Sequence, residues 1–126
     1  AIYEPSIKNS NRQFVAEKVE NLTGKNSLLV EKILLELIKS NEDDLNTLYS
    51  AVKNKDIKNI KNIAHKIKGA ARIIDANALV VACENLEKSH LNAVMQNVND
   101  TEKAMKLLEK DIFIYLKNED ALEVKN

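Results

Sequence analysis

Tryptophan is absent from this 126-residue chain, aromatics make up 4% of it, and it holds one cysteine, one proline and two glycines. Each scarcity removes a class of answer. The lone Cys83 excludes an internal disulfide and fits a reducing compartment. With only two histidines, His65 and His90, 25 positions apart, no ligand spacing for a metal site is present and none is expected. No apolar run approaches the roughly 18 residues that cross a bilayer, so no membrane contact is expected of this domain. Nor is there an excess of charge: 19 basic residues face 19 acidic ones, which argues against a nucleic-acid partner and leaves room only for local patches. Short β-branched runs split by Gly or Asn-Gly are missing, so strands are not expected. There is no Gly-rich phosphate loop and no nucleophile elbow, and no autonomous catalysis is expected.

What remains is 44% apolar residues, mostly Leu, Ile, Val and Ala, set among Lys and Glu. This composition predicts an all-α domain: an antiparallel up-down four-helix bundle with an additional short N-terminal helix lying across one end. Residues 1–9, polar and containing Pro5, read as a linker rather than a signal peptide, as in a piece of a longer protein. The bundle is expected over 10–120 and a frayed tail over 121–126. The first helix is expected from about Ser10 to Leu22, with Phe14, Val15, Val19 and Leu22 inward. Asn26 or Ser27 caps a second helix reaching Lys53, with Leu28, Leu29, Ile33, Leu34, Leu37, Ile38, Leu45, Leu48 and Val52 as its stripe. "SNEDD" is a second possible cap, but the stripe resumes in phase beyond it, favouring one helix. Asp56 caps a third helix that buries Ile60, Ile63, Ala64, Ile67, Ala71 and Ile74 and ends at Asp75. A fourth starts near Asn77 and buries Leu79, Ala82, Cys83, Leu86, His90 and Val94. "QNVND" at 96–100 reads as a turn, Asn99 or Asp100 as a cap, and Ala104, Leu107, Leu108, Ile112 and Leu116 as a fifth stripe.

The third helix carries the chemistry. At about 100° per residue, His65 falls roughly 150° from the apolar stripe, facing water. Lys61, Lys68 and Arg72 flank it. Gly69, one turn on, removes a side chain beside the imidazole, although glycine inside a helix costs about 1 kcal/mol against alanine. If the chain reverses at Asp75–Ala76, Glu87 on the next helix arrives at nearly the height of His65. A carboxylate there would hold Nδ1–H and leave Nε2 as an exposed nucleophile. Lys68 and Arg72 would neutralise phosphoryl oxygens. Seven basic residues and one acid lie between Lys53 and Arg72, a positive face that would steer an acidic partner; Lys58, Lys61, Lys66, Lys68 and Arg72 are the expected contacts. Taken singly, each feature has a bland reading: a surface histidine, a solvated lysine face, packing slack, one acid of 19. Their conjunction is what points to a site. His90 and Cys83, on a buried stripe, are expected to be structural and inert.

"AHKIKGAARIIDANALVVACENLE" resembles the histidine-containing phosphotransfer (HPt) domains of bacterial phosphorelays, and the resemblance covers about residues 28–116. The preceding "NEDDLNTLYSAVKNKD" is similar to the acidic, Leu-spaced helix and turn that usually come before that motif. The resemblance implies that His65 is the phosphoacceptor, that Lys68 and Gly69 are the family's paired supporting residues, and that Glu87 bonds the histidine. Arg72 stands where a polar or basic residue is common. Ala70 replaces a frequent serine, and Asp75 a usual glycine, where Asp tolerates the left-handed turn.

The resemblance further implies a carrier without ATP binding, resembling the carboxy-terminal module of a hybrid sensor histidine kinase. Its partners would be the receiver domains of the parent kinase and of a response regulator. The domain itself would bind no cofactor, the partner receiver supplying Mg²⁺. A monomer in the cytoplasm is expected, its parent anchored in the inner membrane. Two other readings stay open: a non-catalytic helical adaptor binding through its basic face, and the amino-terminal domain of a chemotaxis-type kinase.

Overall fold

The computed structural model describes residues 12–125, with side chains described through residue 118. It contains helices α1 (Ala16–Leu22), α2 (Ser27–Lys53), α3 (Ile57–Ile73), α4 (Asn77–Glu87) and α5 (Val94–Lys125), and no strand among the described residues. The fold is all-helical. α2 packs on α3, α3 on α4, α4 on α5 and α5 on α2, which closes a ring of four, and α1 adds to α2. Contacts between neighbours fix their relative sense. Ascending α3 from His65 to Arg72 meets descending α4 from Glu87 to Glu84. Likewise Tyr49 of α2 reaches Asn99 and Glu102 of α5, while Ile38 lies beside Ile112.

The helix starts follow from side-chain caps. Asn26 Oδ1 accepts from the Leu29 amide and Asp56 Oδ1 from the Asn59 amide, both at 3.1 Å, satisfying donors that have no partner within the helix. α2 runs unbroken through "SNEDD". The ends of α2 and α3 pass into left-handed residues, Lys55 at φ 57° and Asp75 at φ 54°. At Asp75 the short side chain takes the conformation for which glycine is the usual choice.

Leu34, Leu48, Ile60, Ile67, Leu79, Leu86, Leu108 and Ile112 form the fully buried centre of the core. Burying each such side chain contributes about 1.5–3 kcal/mol. α3 buries the predicted Ile60, Ile63, Ala64, Ile67 and Ala71, with Ile74 just past its end.

Other expectations are corrected. α1 starts at Ala16, not near Ser10, which with the expected linker 1–9 lies outside the described residues. Phe14 is buried ahead of the helix because it packs edge-on against Tyr115, ring centroids 5.8 Å apart. The Val15 amide donates to the Ile74 carbonyl at 2.8 Å, so this segment closes the end of the bundle. Val15 and Leu22 are exposed. On α2, Leu28, Leu29 and Ile33 are exposed and Val30 takes a core position, because the ring covers a narrower stripe than the leucines offer.

α4 stops at Glu87, and the turn falls at 88–93 rather than 96–100. His90 is therefore exposed in that turn, not buried. Residues 96–100 belong to α5 because Val94, Val98 and Thr101 are buried at helical spacing across them; Asn99 and Asp100 cap nothing there. Leu107 is exposed, with Met105 and Tyr115 inward instead. Helical backbone continues to Lys125, through most of the tail expected to fray.

Candidate functional site

His65 sits midway along α3, its side chain 74% exposed. The helix places it there by phase alone: Ala64 and Ile67 are buried on either side of it in sequence, and the imidazole emerges on the opposite flank. Glu87, the last residue of α4, reaches across so that its Oε2 lies 3.1 Å from His65 Nδ1. A carboxylate oxygen can only accept, so the contact favours the tautomer with the hydrogen on Nδ1 as donor. In that tautomer of the neutral ring the lone pair falls on Nε2, and the ring is exposed.

The same carboxylate serves a second cation. Its Oε1 is 2.5 Å from Lys68 Nζ, and the Lys68 side chain is only 12% exposed. Glu87 is accordingly held below its ordinary 4.5, first by the hydrogen bond from Lys68 and next by that from His65, against the opposing effect of burial. It remains a carboxylate at neutral pH. Beneath it, the Cys83 thiol is pushed up to about 12 by burial and then by the charge of Glu87. No reactive thiolate forms there, as the buried position of Cys83 led one to expect.

Gly69 lies one turn from His65 on the open side, and a Cβ built on it would meet nothing within 4 Å. The imidazole thus has a bare strip of backbone beside it. Lys58 and Lys61 are exposed on the same helix.

Three of the predicted cations are tied within the domain. Lys68 is turned under the surface toward Glu87. Lys66 pairs with Asp44 of α2 at 2.8 Å, and Arg72 pairs with Glu84 of α4 at 3.2 Å. The positive face is consequently strongest in the amino-terminal half of α3, not along its whole length. Asp44 and Glu84 were missed from the sequence, yet a height count finds them. Residues 66 and 44 are equally far from the turn at Lys55. Counted from the turn at Asp75–Ala76, Glu84 stands about five residues, roughly 7.5 Å, from the level of Arg72, a gap the long arginine side chain spans. Among the described residues, no three of His, Cys, Asp and Glu stand together as metal ligands. Glu87 is engaged by Lys68 and Glu84 by Arg72.

An exposed imidazole bonded to a carboxylate on a helical bundle fits a histidine phosphotransfer class of protein. The Hpt domain family model matches residues 32–118, and the chain belongs to that family, whose role is histidine phosphotransfer of the phosphorelay type. The chain is similar to the virulence sensor protein BvgS of Bordetella bronchiseptica, 33% identical over 75 residues, covering 60% of this chain and 6% of that protein. The BvgS proteins of Bordetella parapertussis and Bordetella pertussis are each 32% identical over the same length, with the same coverage. The chain therefore spans about 6% of the length of the curated relatives it matches. No solved structure matches it. No helix among the described residues is long and apolar enough to cross a membrane.

Proposed function

We propose that His65 is the phosphoacceptor of a multistep relay. A receiver domain carrying a phospho-aspartate docks on the exposed flank of α3. His65 Nε2 attacks phosphorus in line, the N–P bond forms, and the P–O bond to the aspartyl carboxylate breaks. In the second half the carboxylate of a response regulator's receiver attacks the same phosphorus and regenerates the neutral imidazole. Glu87 holds the Nδ1 proton throughout, so Nε2 is the nucleophile in the first step and the leaving atom in the second. Arg72 and Lys68 support the phosphoryl oxygens if they shift from Glu84 and Glu87, and Lys58, Lys61 and Lys66 steer the acidic receiver. Mg²⁺ comes with the receiver, because the acids beside His65 are held by cations.

The likeness to sensor proteins supports placing this domain within a larger hybrid kinase, on the cytoplasmic side of an inner-membrane parent, with that kinase's own receiver as donor. A monomer suffices for this chemistry, since every group named lies on one chain.

The observation that carries this reading is the 3.1 Å contact between His65 Nδ1 and Glu87 on an otherwise exposed ring. The test is incubation with a phosphorylated receiver domain. Acid-labile, alkali-stable label is expected on the wild type and absent from His65→Gln. Binding without transfer would instead establish a helical adaptor.

A further inference from the structure

Glu87 is the terminal residue of α4, where a helix is least able to hold a side chain in place, because the last carbonyls have no partners further along the helix and must find them beyond its end. The three preceding helices end in turns with left-handed residues: Gly24 and Lys25 after α1, Lys55 after α2 and Asp75 after α3. α4 has no such residue. Its C-cap, Lys88, keeps φ −92° and ψ −2°. The Lys88 and Ser89 amides donate to the Glu84 and Leu86 carbonyls at 3.2 and 3.1 Å, and side chains complete the closure at Asn85. Ser89 Oγ donates to the Asn85 carbonyl at 3.0 Å, and Asn97 Nδ2, from the first turn of α5, donates to Ser89 Oγ and to the same carbonyl. Ser89 is buried. Asn97 is in turn anchored, its carbonyl accepting from the buried Thr101 hydroxyl at 2.8 Å.

We infer that Ser89 and Asn97 are positioning residues for Glu87, and through it for the imidazole of His65. This deepens the proposed phosphotransfer reading and rests on it. The clamp ties the last turn of α4 to α5, so the carboxylate faces α3 at a fixed height. Without it the turn frays, Glu87 stays with Lys68 or turns to water, and His65 loses the bond that selects its tautomer. Misplacement on that scale slows an in-line transfer steeply.

The test uses ¹⁵N imidazole spectra of the unphosphorylated full chain, together with transfer from a phosphorylated receiver. Ser89→Ala and Asn97→Leu are compared with Val98→Ala, which removes core methyls one residue from the clamp. The expected result for Ser89→Ala is a shift of the His65 tautomer signal away from Nδ1–H and transfer slowed roughly 3- to 10-fold. Val98→Ala is expected to lower Tm with the tautomer unmoved. If Asn97→Leu fails to fold, Ser89→Ala alone decides. A Ser89→Ala protein that loses Tm but keeps the wild-type tautomer and rate overturns the inference. Failure of the phosphotransfer reading shows separately, as wild-type protein that takes no label, while the tautomer comparison still reports on the clamp.

Discussion

His65 and His90 are both exposed, and they lie on the two helix-to-helix borders of α4, yet their surroundings differ in kind. His65 rises from the middle of a 17-residue helix, faces Glu87 at 3.1 Å and has Gly69 beside it. His90 sits in the 88–93 turn, where its carbonyl accepts from the Ala93 amide at 3.0 Å and its ring has no bonded partner among the described residues. Exposure is common to both, so exposure alone does not single out His65 as the proposed phosphoacceptor. The distinguishing parts are a rigid platform, a carboxylate that selects the tautomer, and open space for an incoming group.

The sharpest break of this comparison exchanges the histidines. His65→Gln is expected to abolish labelling by a phosphorylated receiver, and His90→Gln to leave it at the wild-type level; label retained in the former and lost in the latter would invert the assignment. Next comes the brace. Glu87→Gln should slow transfer by roughly 10- to 100-fold, the range typical when the partner that orients a metal-bound histidine is removed, as read by single-turnover assay. This brace also has a pH signature. Because folding holds the Glu87 carboxyl below 4.5, its contribution to stability is present above that value and is lost as pH falls through the folded value. The Tm difference between wild type and Glu87→Gln should shrink below pH 4.5. Gly69→Ala separates stability from access. Its new methyl meets nothing within 4 Å, so the domain should gain up to about 1 kcal/mol in denaturant melts while transfer falls roughly 10-fold from crowding beside Nε2.

The smallest effect lies away from both histidines. Tyr49 donates to Glu102, and this bond, then burial, pushes its phenol up to about 12. A raised value means its contribution is intact below the usual 10 and fades as pH climbs toward 12. Tyr49→Phe should lose about 1 kcal/mol and leave transfer unchanged, which chemical denaturation and the same labelling assay would report.

The parts of this molecule legible in its sequence are those fixed within one helix or one hairpin. Asp56 as a cap, the buried face of α3, the outward phase of His65 and the left-handed Asp75 all depend on residues within four positions of each other. The meeting of His65 with Glu87 needed only a height count across one turn. What escaped depends on distant partners. "QNVND" has the composition of a turn, yet Val98 and Thr101 are buried at helical spacing within and beyond it, and Asn97 is spent on the end of α4. Phe14 and Val15 fit a helical stripe, but Tyr115, a hundred residues on, draws Phe14 out of it. The lysine-rich face looked uniformly positive because Asp44 and Glu84, which engage Lys66 and Arg72, lie on other helices.

The lysines at φ 64° and φ 57° after α1 and α2 give two of the fold's corners an unusual freedom. A left-handed lysine carries about 1–2 kcal/mol of backbone strain, and a glycine there would relieve it while giving up about 0.5–1 kcal/mol of chain entropy. The opposing quantities are of similar size, so either residue serves, and evolutionary drift at these corners leaves the helices where they are. The corner after α4 has no such latitude, since two specific side chains close it, and substitutions tolerated at the first two bends would be felt at the third helix's imidazole.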